Sequence, residues 1–301
     1  MEGRRVAAIL NPVAGHGRAE PRWRRAERDL IRHGVVPTTF RTSRQGEAST
    51  LARAVLDQGF DTILAVGGDG TVHEVVNGLS FDGAIPPGVR LGVVPGGTGM
   101  DFARNAGLSR SPQAAVARVL RAQERRIDLG VAGPGTGRLF VNFAETGIGA
   151  AVVARERELH RSMPGRASFF VAALDAVRRQ ENTVAVISVD GVLVYDGPLV
   201  SVVVANGRYF GAGMKIAPRA EMDDGLMDVL VLGNFSRAEL LAQIWKIYPG
   251  VHLGHAKVAW LRGRHVEVEP RAPTHLDLDG ELFGPGPYTF SVLPCALPLL
   301  V

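Results

Sequence analysis

Residues 67–79 read GGDGTVHEVVNGL and directly follow the apolar segment Thr62–Val66. A buried strand, then glycines, then a helical pattern over Val72–Leu79 predict a strand-to-helix turn. Glycine permits positive φ angles and lets backbone N–H groups approach a ligand, and the first turn of a helix attracts negative charge. The stretch therefore predicts a binding site for a nucleotide polyphosphate. The alternative is a glycine-rich connection without a ligand, but such a turn needs fewer of these residues.

Two further loops have the same character. NPVAG, residues 11–15, follows the apolar run Val6–Leu10, and PGGTGMDFARN, residues 95–105, follows Leu91–Val94. Helical patterns alternate with these runs, so we expect an α/β layer structure with a largely parallel sheet, whose loops meet at the carboxyl edge of the strands. Neither GxxxxGK[ST] nor a complete GxGxxG follows any strand, so neither a P-loop nucleotidase nor an ordinary dinucleotide fold is supported.

After about Asp128 the pattern changes to short strands separated by glycine and proline, which predicts a second domain rich in antiparallel β-structure. We expect domains at 1–127 and 128–301, with the extreme C-terminus packing back on the first, and a tight connection at 133–137. The expected strands of the second domain are Phe140–Ala144, Val184–Val189, Leu199–Ala205, Asp228–Leu232 and Val266–Val268, and its helices are Ser168–Gln180 and Arg237–Ile247.

An acidic segment, His275–Leu282, alternates with a period of two. If it is one strand, Asp277, Asp279 and Glu281 share a face, with second neighbours about 6.6 to 6.8 Å apart. Carboxylates this close raise at least one pKa, which suits a general base, or they hold a magnesium ion with substrate phosphates. A charged edge strand that prevents aggregation explains the pattern equally well.

Taken in order, these motifs are specific. NPVAG, GGDGTVHEVVNGL, LGVVPGGTGMDFAR, NFAETGIGA, DDGLMDV at Asp223–Val229 and LDGE at Leu278–Glu281 resemble the motifs of the diacylglycerol kinase catalytic domain family, which includes sphingosine and ceramide kinases. GGDGT alone is also similar to NAD kinases and phosphofructokinases. The resemblance implies an N-terminal Rossmann-like domain of the phosphofructokinase and NAD kinase type, a C-terminal antiparallel β-sandwich domain, and ATP in the cleft between them.

The resemblance also implies functional residues. It makes Glu281 the base that accepts the proton of the lipid hydroxyl, with Asp279 as helper or metal contact. A structural magnesium ion is implied at Asp224 and the backbone carbonyls of Glu221 and Leu226, although Asp223-Asp224-Gly225 alone is an ordinary turn. The implied nucleotide contacts are Asn11, Pro12, Val13, Ala14, Gly15, Thr42, Gly68, Asp69, Gly70, Thr71, Val72, His73, Glu74 and Thr98.

Two positions depart from the family pattern, which often has asparagine in place of His73 and of Met100. Histidine still donates a hydrogen bond, whereas methionine cannot replace an amide. We therefore expect the local contact made at Met100 to differ.

Composition predicts a soluble globular chain. Among 301 residues the formal charge is +4, and arginine supplies nearly all of the positive charge. Arginine clusters at 18–32 and 155–166 would attract an anionic membrane, although each alone is more simply a solvated helix face. They lack interleaved aromatic residues, so no nucleic acid is expected. The longest apolar stretch, 199–205, is far below the ~20 residues that span a bilayer.

Together these features predict a cytoplasmic, peripherally membrane-associated lipid kinase that uses Mg-ATP. The run Val6–Leu10 is too short for a signal peptide, and the single cysteine, Cys295, excludes an internal disulfide.

Diacylglycerol is the leading acceptor, with sphingoid bases, ceramide and phosphatidylglycerol open. A soluble-substrate kinase of the NAD kinase type, a non-catalytic nucleotide-regulated lipid-binding protein, and a homodimer remain alternatives. Phe169, Phe170 and Trp245 either line a lipid entrance or, as helical spacing more often indicates, belong to a core.

Overall fold

A computed structural model describes residues 4–81, 83–133, 137–159 and 166–301 of the chain. The chain forms two compact units, the first comprising Met1–Leu129 with Pro294–Val301 and the second comprising Gly130–Leu293. The division after Leu129 lies close to the domain boundary expected after residue 127.

The first unit alternates strands and helices along the chain. Its elements are β1 (Val6–Leu10), α1 (Ala19–Arg32), β2 (Thr38–Arg41), α2 (Glu47–Asp57), β3 (Thr62–Gly67), α3 (Asp69–Leu79), β4 (Arg90–Pro95), α4 (Asp101–Asn105) and α5 (Pro112–Arg121). The strands pair in parallel in the order β2–β1–β3–β4. Every residue of β1 and β3 is buried, as expected of a parallel sheet covered on both faces. The predicted α/β domain is confirmed.

Helix α3 begins three residues earlier than the apolar pattern indicates. The pattern predicts Val72–Leu79, whereas the helix starts at Asp69. The N–H of Val72 already donates to the carbonyl of Gly68, at 3.1 Å. The glycine-rich loop therefore supplies the first helical turn itself, and its backbone N–H groups lie at the helix N-terminus.

The second unit is mainly antiparallel. Its elements, including the two strands that cross into it, are β5 (Glu124–Gly133), β6 (Arg138–Phe140), β7 (Phe143–Gly147), α6 (Ile148–Leu159), α7 (Arg166–Arg179), β8 (Thr183–Val189), β9 (Val192–Leu199), β10 (Ser201–Ala205), β11 (Met227–Leu232), α8 (Arg237–Ile247), a short 3-10 turn (His252–Gly254), β12 (Val258–Gly263), β13 (His265–Pro270), β14 (Leu276–Leu278), β15 (Glu281–Phe283) and β16 (Tyr288–Leu300).

Two sheets of this unit enclose one apolar core. One has the strand order β12–β11–β10–β7–β14–β15, and the other contains β16–β13–β8–β9. The core draws side chains from both sheets, among them Val202 and Val229 from the first and Val266 and Phe290 from the second, none more than 2% exposed. Alternate residues of facing strands interdigitate in this way in a β-sandwich, which confirms the predicted second fold.

Two predicted strands of this unit are divided. The segment Phe140–Ala144 is the end of β6 and the start of β7, and Leu199–Ala205 is the end of β9 followed by β10. The segment His275–Leu282 is not one strand, because β14 and β15 form a hairpin there, so the condition under which its three carboxylates would share a face is not met. Residues 134–136 of the predicted connection at 133–137 lie outside the described residues.

The last strand, β16, contributes to both units. Residues Tyr288–Ser291 pair antiparallel with β13, and Leu299 pairs with Leu91 of β4 in parallel. Leu297 and Leu299 are fully buried. The first unit therefore obtains part of its sheet from the segment Pro294–Val301.

Within the described ranges, no helix is both long enough and apolar enough to cross a bilayer.

Candidate functional site

The three glycine-rich loops of the first unit lie side by side. The N–H of Asn11, after β1, donates to the carbonyl of Val66 at 2.9 Å, and its Nδ2 donates to Thr71 Oγ1 at 3.3 Å. The N–H of Gly96, after β4, donates to the carbonyl of Gly67 at 2.7 Å. The loops that follow β1, β3 and β4 therefore form one surface at the carboxyl edge of the sheet, as the sequence predicts.

Close backbone approach explains two of the glycines. Gly15 has φ +61°, and a Cβ atom there would lie 2.0 Å from the carbonyl oxygen of Gly96. A Cβ atom at Gly97 would lie 2.5 Å from Cα of Gly68. Backbone atoms cannot move aside as a flexible side chain can, so any larger residue would push these loops apart.

The N-terminus of α3 stays accessible while its flanks are fixed. Gly68 and Asp69 are partly exposed and Gly70 is exposed. Oδ1 of Asp69 accepts a hydrogen bond from the N–H of Phe102 at 2.8 Å, which joins the start of α3 to the start of α4. Accessible N–H groups at a fixed helix N-terminus suit an anionic ligand such as phosphate.

The other residues implied as nucleotide contacts differ in exposure. Asn11, Pro12 and Ala14 are partly exposed, and Val13 and Thr98 are exposed. These five lie on the loops after β1 and β4, where they are accessible to a ligand.

The other residues implied as nucleotide contacts are buried or bonded to a neighbouring helix. Val72 and His73 are buried, and Thr42 is nearly so. Oε2 of Glu74 accepts a hydrogen bond from the N–H of Ala48 at 3.0 Å, in the first turn of α2. The structure does not test nucleotide binding, so these assignments remain predictions.

Two arginines that sequence reasoning missed stabilise the loop after β4. Arg22 of α1 donates to the carbonyl of Pro95 at 3.0 Å. Arg110 donates to the carbonyls of Gly97 at 3.1 Å and Thr98 at 3.0 Å. Each arginine contacts backbone carbonyls, which every residue carries, so the sequence shows no motif that would identify these contacts. They place positive charge beside a loop in which no lysine occurs.

Met100, which departs from the family pattern, packs inside the unit. It is 1% exposed and has φ +55°, immediately before α4. Asparagine tolerates this left-handed conformation better than methionine does. The methionine instead provides apolar packing beneath the loop, with its Sδ 3.2 Å from where a Cβ of Gly97 would lie.

In the second unit, the acidic segment forms a tight turn. Asp279 and Gly280, between β14 and β15, have φ +51° and +92°, the geometry that favours Asp-Gly in two-residue hairpins. The carboxylate of Asp279 accepts backbone N–H groups from Val141 at 2.7 Å, Asn142 at 2.9 Å and Phe143 at 3.1 Å. Asp279 thereby ties the hairpin to the segment between β6 and β7.

The three carboxylates therefore do not share one face of a strand. Asp277 is 1% exposed, and its Oδ1 accepts the N–H of Gly280 at 2.7 Å. Glu281, at the start of β15, is partly exposed. Of the three, Glu281 is therefore the one whose side chain is not buried, and the role that the resemblance implies for it stays a prediction.

Sequence reasoning also missed a buried carboxyl, Glu145 of β7. Its Cα lies opposite that of Asp277 in the sheet. Its Oε1 accepts hydrogen bonds from Ser201 Oγ at 2.6 Å and from the N–H of Gly149, in the first turn of α6, at 2.9 Å. Burial raises the pKa of Glu145 above its ordinary value, and the two hydrogen bonds oppose that rise only in part. An acidic residue in an otherwise apolar strand is the signal that could have identified it.

The segment implied to hold a structural magnesium ion has its own cation. Oδ2 of Asp224 forms an ion pair with Arg262, and its Oδ1 accepts the N–H of Leu226 at 3.0 Å. Both carboxylate oxygens therefore already have a partner within the protein, and the magnesium site implied at this turn stays a prediction. No group of three or more histidine, cysteine or acidic side chains in the described residues is placed to hold a metal.

Two family models together match nearly the whole chain. Residues 5–132 match the diacylglycerol kinase catalytic domain, and residues 142–301 match the YegS C-terminal NAD kinase beta sandwich-like domain. The matches fall on the α/β part and the sandwich part respectively.

Known proteins with these folds are similar over their full lengths. The diacylglycerol kinase of Mycobacterium tuberculosis is 30% identical over 98% of this chain and 94% of its own. The crystal structure of a diacylglycerol kinase from Bacillus anthracis has a TM-score of 0.74 at 21% identity, covering all of this chain and 97% of its own. An NAD kinase from Archaeoglobus fulgidus in complex with ATP is more distant in fold, with a TM-score of 0.54 at 16% identity, covering 98% and 93%.

Proposed function

The chain belongs to the diacylglycerol kinase family, and on that premise we propose that it transfers the γ-phosphoryl group of ATP to a lipid hydroxyl. The observation that carries the proposal is the joining of three glycine-rich loops beside the accessible N-terminus of α3. Diacylglycerol is the leading acceptor because it is the substrate in the name of the relative that is similar over nearly the whole chain. Sphingoid bases, ceramide and phosphatidylglycerol are the other acceptors to test.

The nucleotide phosphates would bind at the first unit. Backbone N–H groups at Gly68–Thr71 and in the loop 11–15 donate to phosphate oxygens, and the helix N-terminus adds a favourable dipole. Arg22 and Arg110 stabilise the loop after β4 by hydrogen bonds to its backbone carbonyls. Magnesium enters as part of the Mg-ATP co-substrate and neutralises phosphate charge.

The transfer itself needs positioning and one proton acceptor. The lipid oxygen attacks the γ-phosphorus, the bond from that phosphorus to the β–γ bridging oxygen breaks, and ADP leaves. The hydroxyl proton passes to the carboxylate of Glu281. Asp279 acts as a positioning residue, since its three backbone hydrogen bonds fix the turn that carries Glu281.

The test is transfer of labelled γ-phosphate from Mg-ATP into a panel of lipids dispersed in vesicles. We expect Glu281→Gln to lower turnover by roughly 10²- to 10⁴-fold, the usual contribution of a general base. Glu269→Gln, at an exposed position of β13, is the matched control and should stay within about twofold of wild type.

The outcomes separate the alternatives. A labelled lipid seen with wild type and not with the Glu281 variant supports the proposal, and its mobility identifies the acceptor. Label that enters a soluble nucleotide without vesicles would instead support a kinase of the NAD kinase type. ATP binding without transfer to any acceptor would support a nucleotide-regulated lipid-binding role.

A further inference from the structure

Helix α8 of the second unit has an unusual surface for a soluble domain. None of its residues is buried. Four large apolar side chains in or directly after it are exposed, Leu241 by 41%, Trp245 by 63%, Tyr248 by 42% and Val251 by 60%. Leu241, Trp245 and Tyr248 follow at spacings of four and three, which places them on one face of the helix. This overturns the expectation that Trp245 is more often part of a core.

Helix α7 extends this apolar face. The rings of Phe170 and Trp245 lie 5.8 Å apart between centroids, and Val171 beside Phe170 is 37% exposed. The side chain of Phe169, the third aromatic predicted at a lipid entrance, lies outside the described residues. We call the face formed by Phe170, Val171, Leu241, Trp245, Tyr248 and Val251 the α7–α8 ridge.

The ends of the two helices show how they are arranged. Nε of Arg237, at the start of α8, donates to the carbonyl of Gln180, just after α7, at 3.1 Å. Trp245, near the end of α8, meets Phe170 near the start of α7. The helices therefore run antiparallel, with the aromatic pair at one end and Arg237 at the other.

Exposed basic side chains lie at both ends of α8, and the acidic residues Glu239 and Asp175 are paired. Exposed basic side chains are Arg178, Arg179, Arg237 and Lys246. Glu239, the one acidic residue of α8, is 2.7 Å from Nζ of Lys257, which helps to lower the pKa of Glu239 to about 2. Asp175 of α7 pairs with Arg155 at 3.1 Å and Arg179 at 3.2 Å. Among the described residues of the two helices and their ends, these four exposed side chains are basic and one exposed side chain, Glu181, is acidic, so the surface combines exposed apolar groups with an excess of exposed basic side chains.

We propose that the α7–α8 ridge is the surface by which this protein docks on an anionic lipid bilayer, an inference that rests on the proposed lipid kinase function. Tryptophan and tyrosine place an apolar ring and a polar tip at the membrane interface. Lysine and arginine beside such a face are attracted to anionic headgroups. A second copy of the chain fits less well, because a symmetric interface would bring the same basic side chains of both copies together.

Packing connects the ridge to the acidic hairpin within the second unit. Val152 of α6 packs with Ala172 and Ala176 of α7 in one apolar cluster. Helix α6 in turn contacts β14 and β15. The hairpin that carries Glu281 and the docking surface are therefore connected through α6 and α7, which would fix the position of the proposed base relative to the bilayer.

The experiment measures binding to vesicles of equal parts phosphatidylglycerol and phosphatidylcholine by co-sedimentation. Trp245→Glu adds a charge to the centre of the ridge and should weaken binding roughly tenfold or more. Val192→Glu makes the same kind of change at the first residue of β9, which is 63% exposed, and should stay within about twofold of wild type. Replacing phosphatidylglycerol with phosphatidylcholine, or adding salt, should weaken wild-type binding.

Tryptophan fluorescence gives an independent measure. Trp245 is 63% exposed, whereas Trp23 is fully buried and Nε1 of Trp260 donates to Asp228 Oδ1 at 2.5 Å. Anionic vesicles should therefore shift the emission of wild type to shorter wavelength, and the shift should be lost in Trp245→Phe. Circular dichroism verifies that both Trp245 variants fold.

Unchanged vesicle binding by Trp245→Glu would overturn the proposal. If this variant binds vesicles normally but changes from a dimer to a monomer, the proposal is also overturned, because the ridge would then be an interface between two copies of the chain. Transfer to a short-chain diacylglycerol in solution separates this inference from the proposed function. Vesicle binding without any transfer would refute the kinase assignment alone, whereas transfer without ridge-dependent binding would refute the docking surface alone.

Discussion

Single glycines determine how closely the nucleotide loops approach each other. Gly15 and Gly17 both have positive φ, +61° and +80°, but only Gly15 faces backbone, with the carbonyl of Gly96 next to it. We expect Gly15→Ala to cost at least about 2 kcal/mol of unfolding free energy and most ATP binding, because strain and a backbone clash add together.

Gly17→Ala is the matched control for this change. A Cβ atom at Gly17 meets nothing within 4 Å, so only the left-handed strain of about 1 kcal/mol remains. Chemical denaturation and ATP titration measure both effects. Equal losses in the two variants would show that strain alone, rather than the contact with Gly96, makes glycine necessary.

Glu145 predicts a dependence of stability on pH. Burial raises its pKa in the folded protein, so the folded protein keeps a proton that the unfolded chain loses above pH of about 4.3. The contribution to stability is fully present below that pH and is lost as the pH rises through the folded-state pKa. Glutamine can accept the hydrogen bonds of Ser201 and Gly149 without titrating. We therefore expect Glu145→Gln to remove this loss of stability with rising pH.

Denaturation curves recorded at a series of pH values from mildly acidic to neutral measure the effect. The exposed Glu269→Gln serves as control and should decline with pH as wild type does. If the unfolding free energies of wild type and Glu145→Gln change with pH in the same way, Glu145 is ionised in the folded protein and the predicted pH dependence is wrong.

At the scale of elements, the acidic hairpin separates two carboxylates that sequence pattern treats alike. Asp279 accepts three backbone N–H groups, whereas Glu281 is partly exposed at the start of β15. Asparagine tolerates the positive φ of Asp279, so Asp279→Asn removes the carboxylate with little added backbone strain. We expect this variant to lose about 2 kcal/mol or more of unfolding free energy, and Glu281→Gln to lose much less.

Thermal unfolding of the two variants measures this difference. If Asp279→Asn is as stable as wild type but inactive, Asp279 acts directly in the transfer rather than by positioning the turn.

Elements with strong local signals were predictable, and those shaped by distant contacts were not. Strand β1 matches its predicted position, because a continuous apolar run acts locally. The period of two in His275–Leu282 concealed a hairpin, since Asp279-Gly280 continues the alternation while its φ angles reverse the chain. The break before β7 could not be seen, because its cause is a carboxylate more than a hundred residues away.

The candidate site was predictable to a similar degree. The loops after β1, β3 and β4 were located because glycines follow apolar runs, and their mutual contact followed from the parallel sheet. The contacts of Arg22 and Arg110 were not predicted, because their partners are backbone carbonyls that any sequence would supply. The exposure of Trp245 also escaped prediction, because the spacing of a docking face equals that of a buried one.

At the scale of the molecule, the first unit depends on a distant segment. Pro294–Val301 supplies three leucines, Leu297, Leu299 and Leu300, that are at most 2% exposed, and the N–H of Cys295 donates to Asp128 at 2.6 Å. Burial of each leucine contributes about 1.5 to 3 kcal/mol. We therefore expect deletion of 294–301 to unfold the first unit and abolish ATP binding.

Cys295→Ala is the control for this deletion, because Cys295 is exposed and its backbone N–H is kept. Calorimetry with and without ATP measures both variants. A truncated protein that binds ATP normally would show that the first unit closes without this segment.

This chain path also dictates an order of assembly during synthesis. The ribosome makes β1 to β4 first, yet residues 294–301, which join that sheet, emerge only after every residue of the sandwich. One edge of β4 in the nascent α/β sheet therefore stays unpaired until residues 294–301 have been translated. Exposed strand edges recruit other chains, so slow translation of the middle of this gene should increase the need for chaperones.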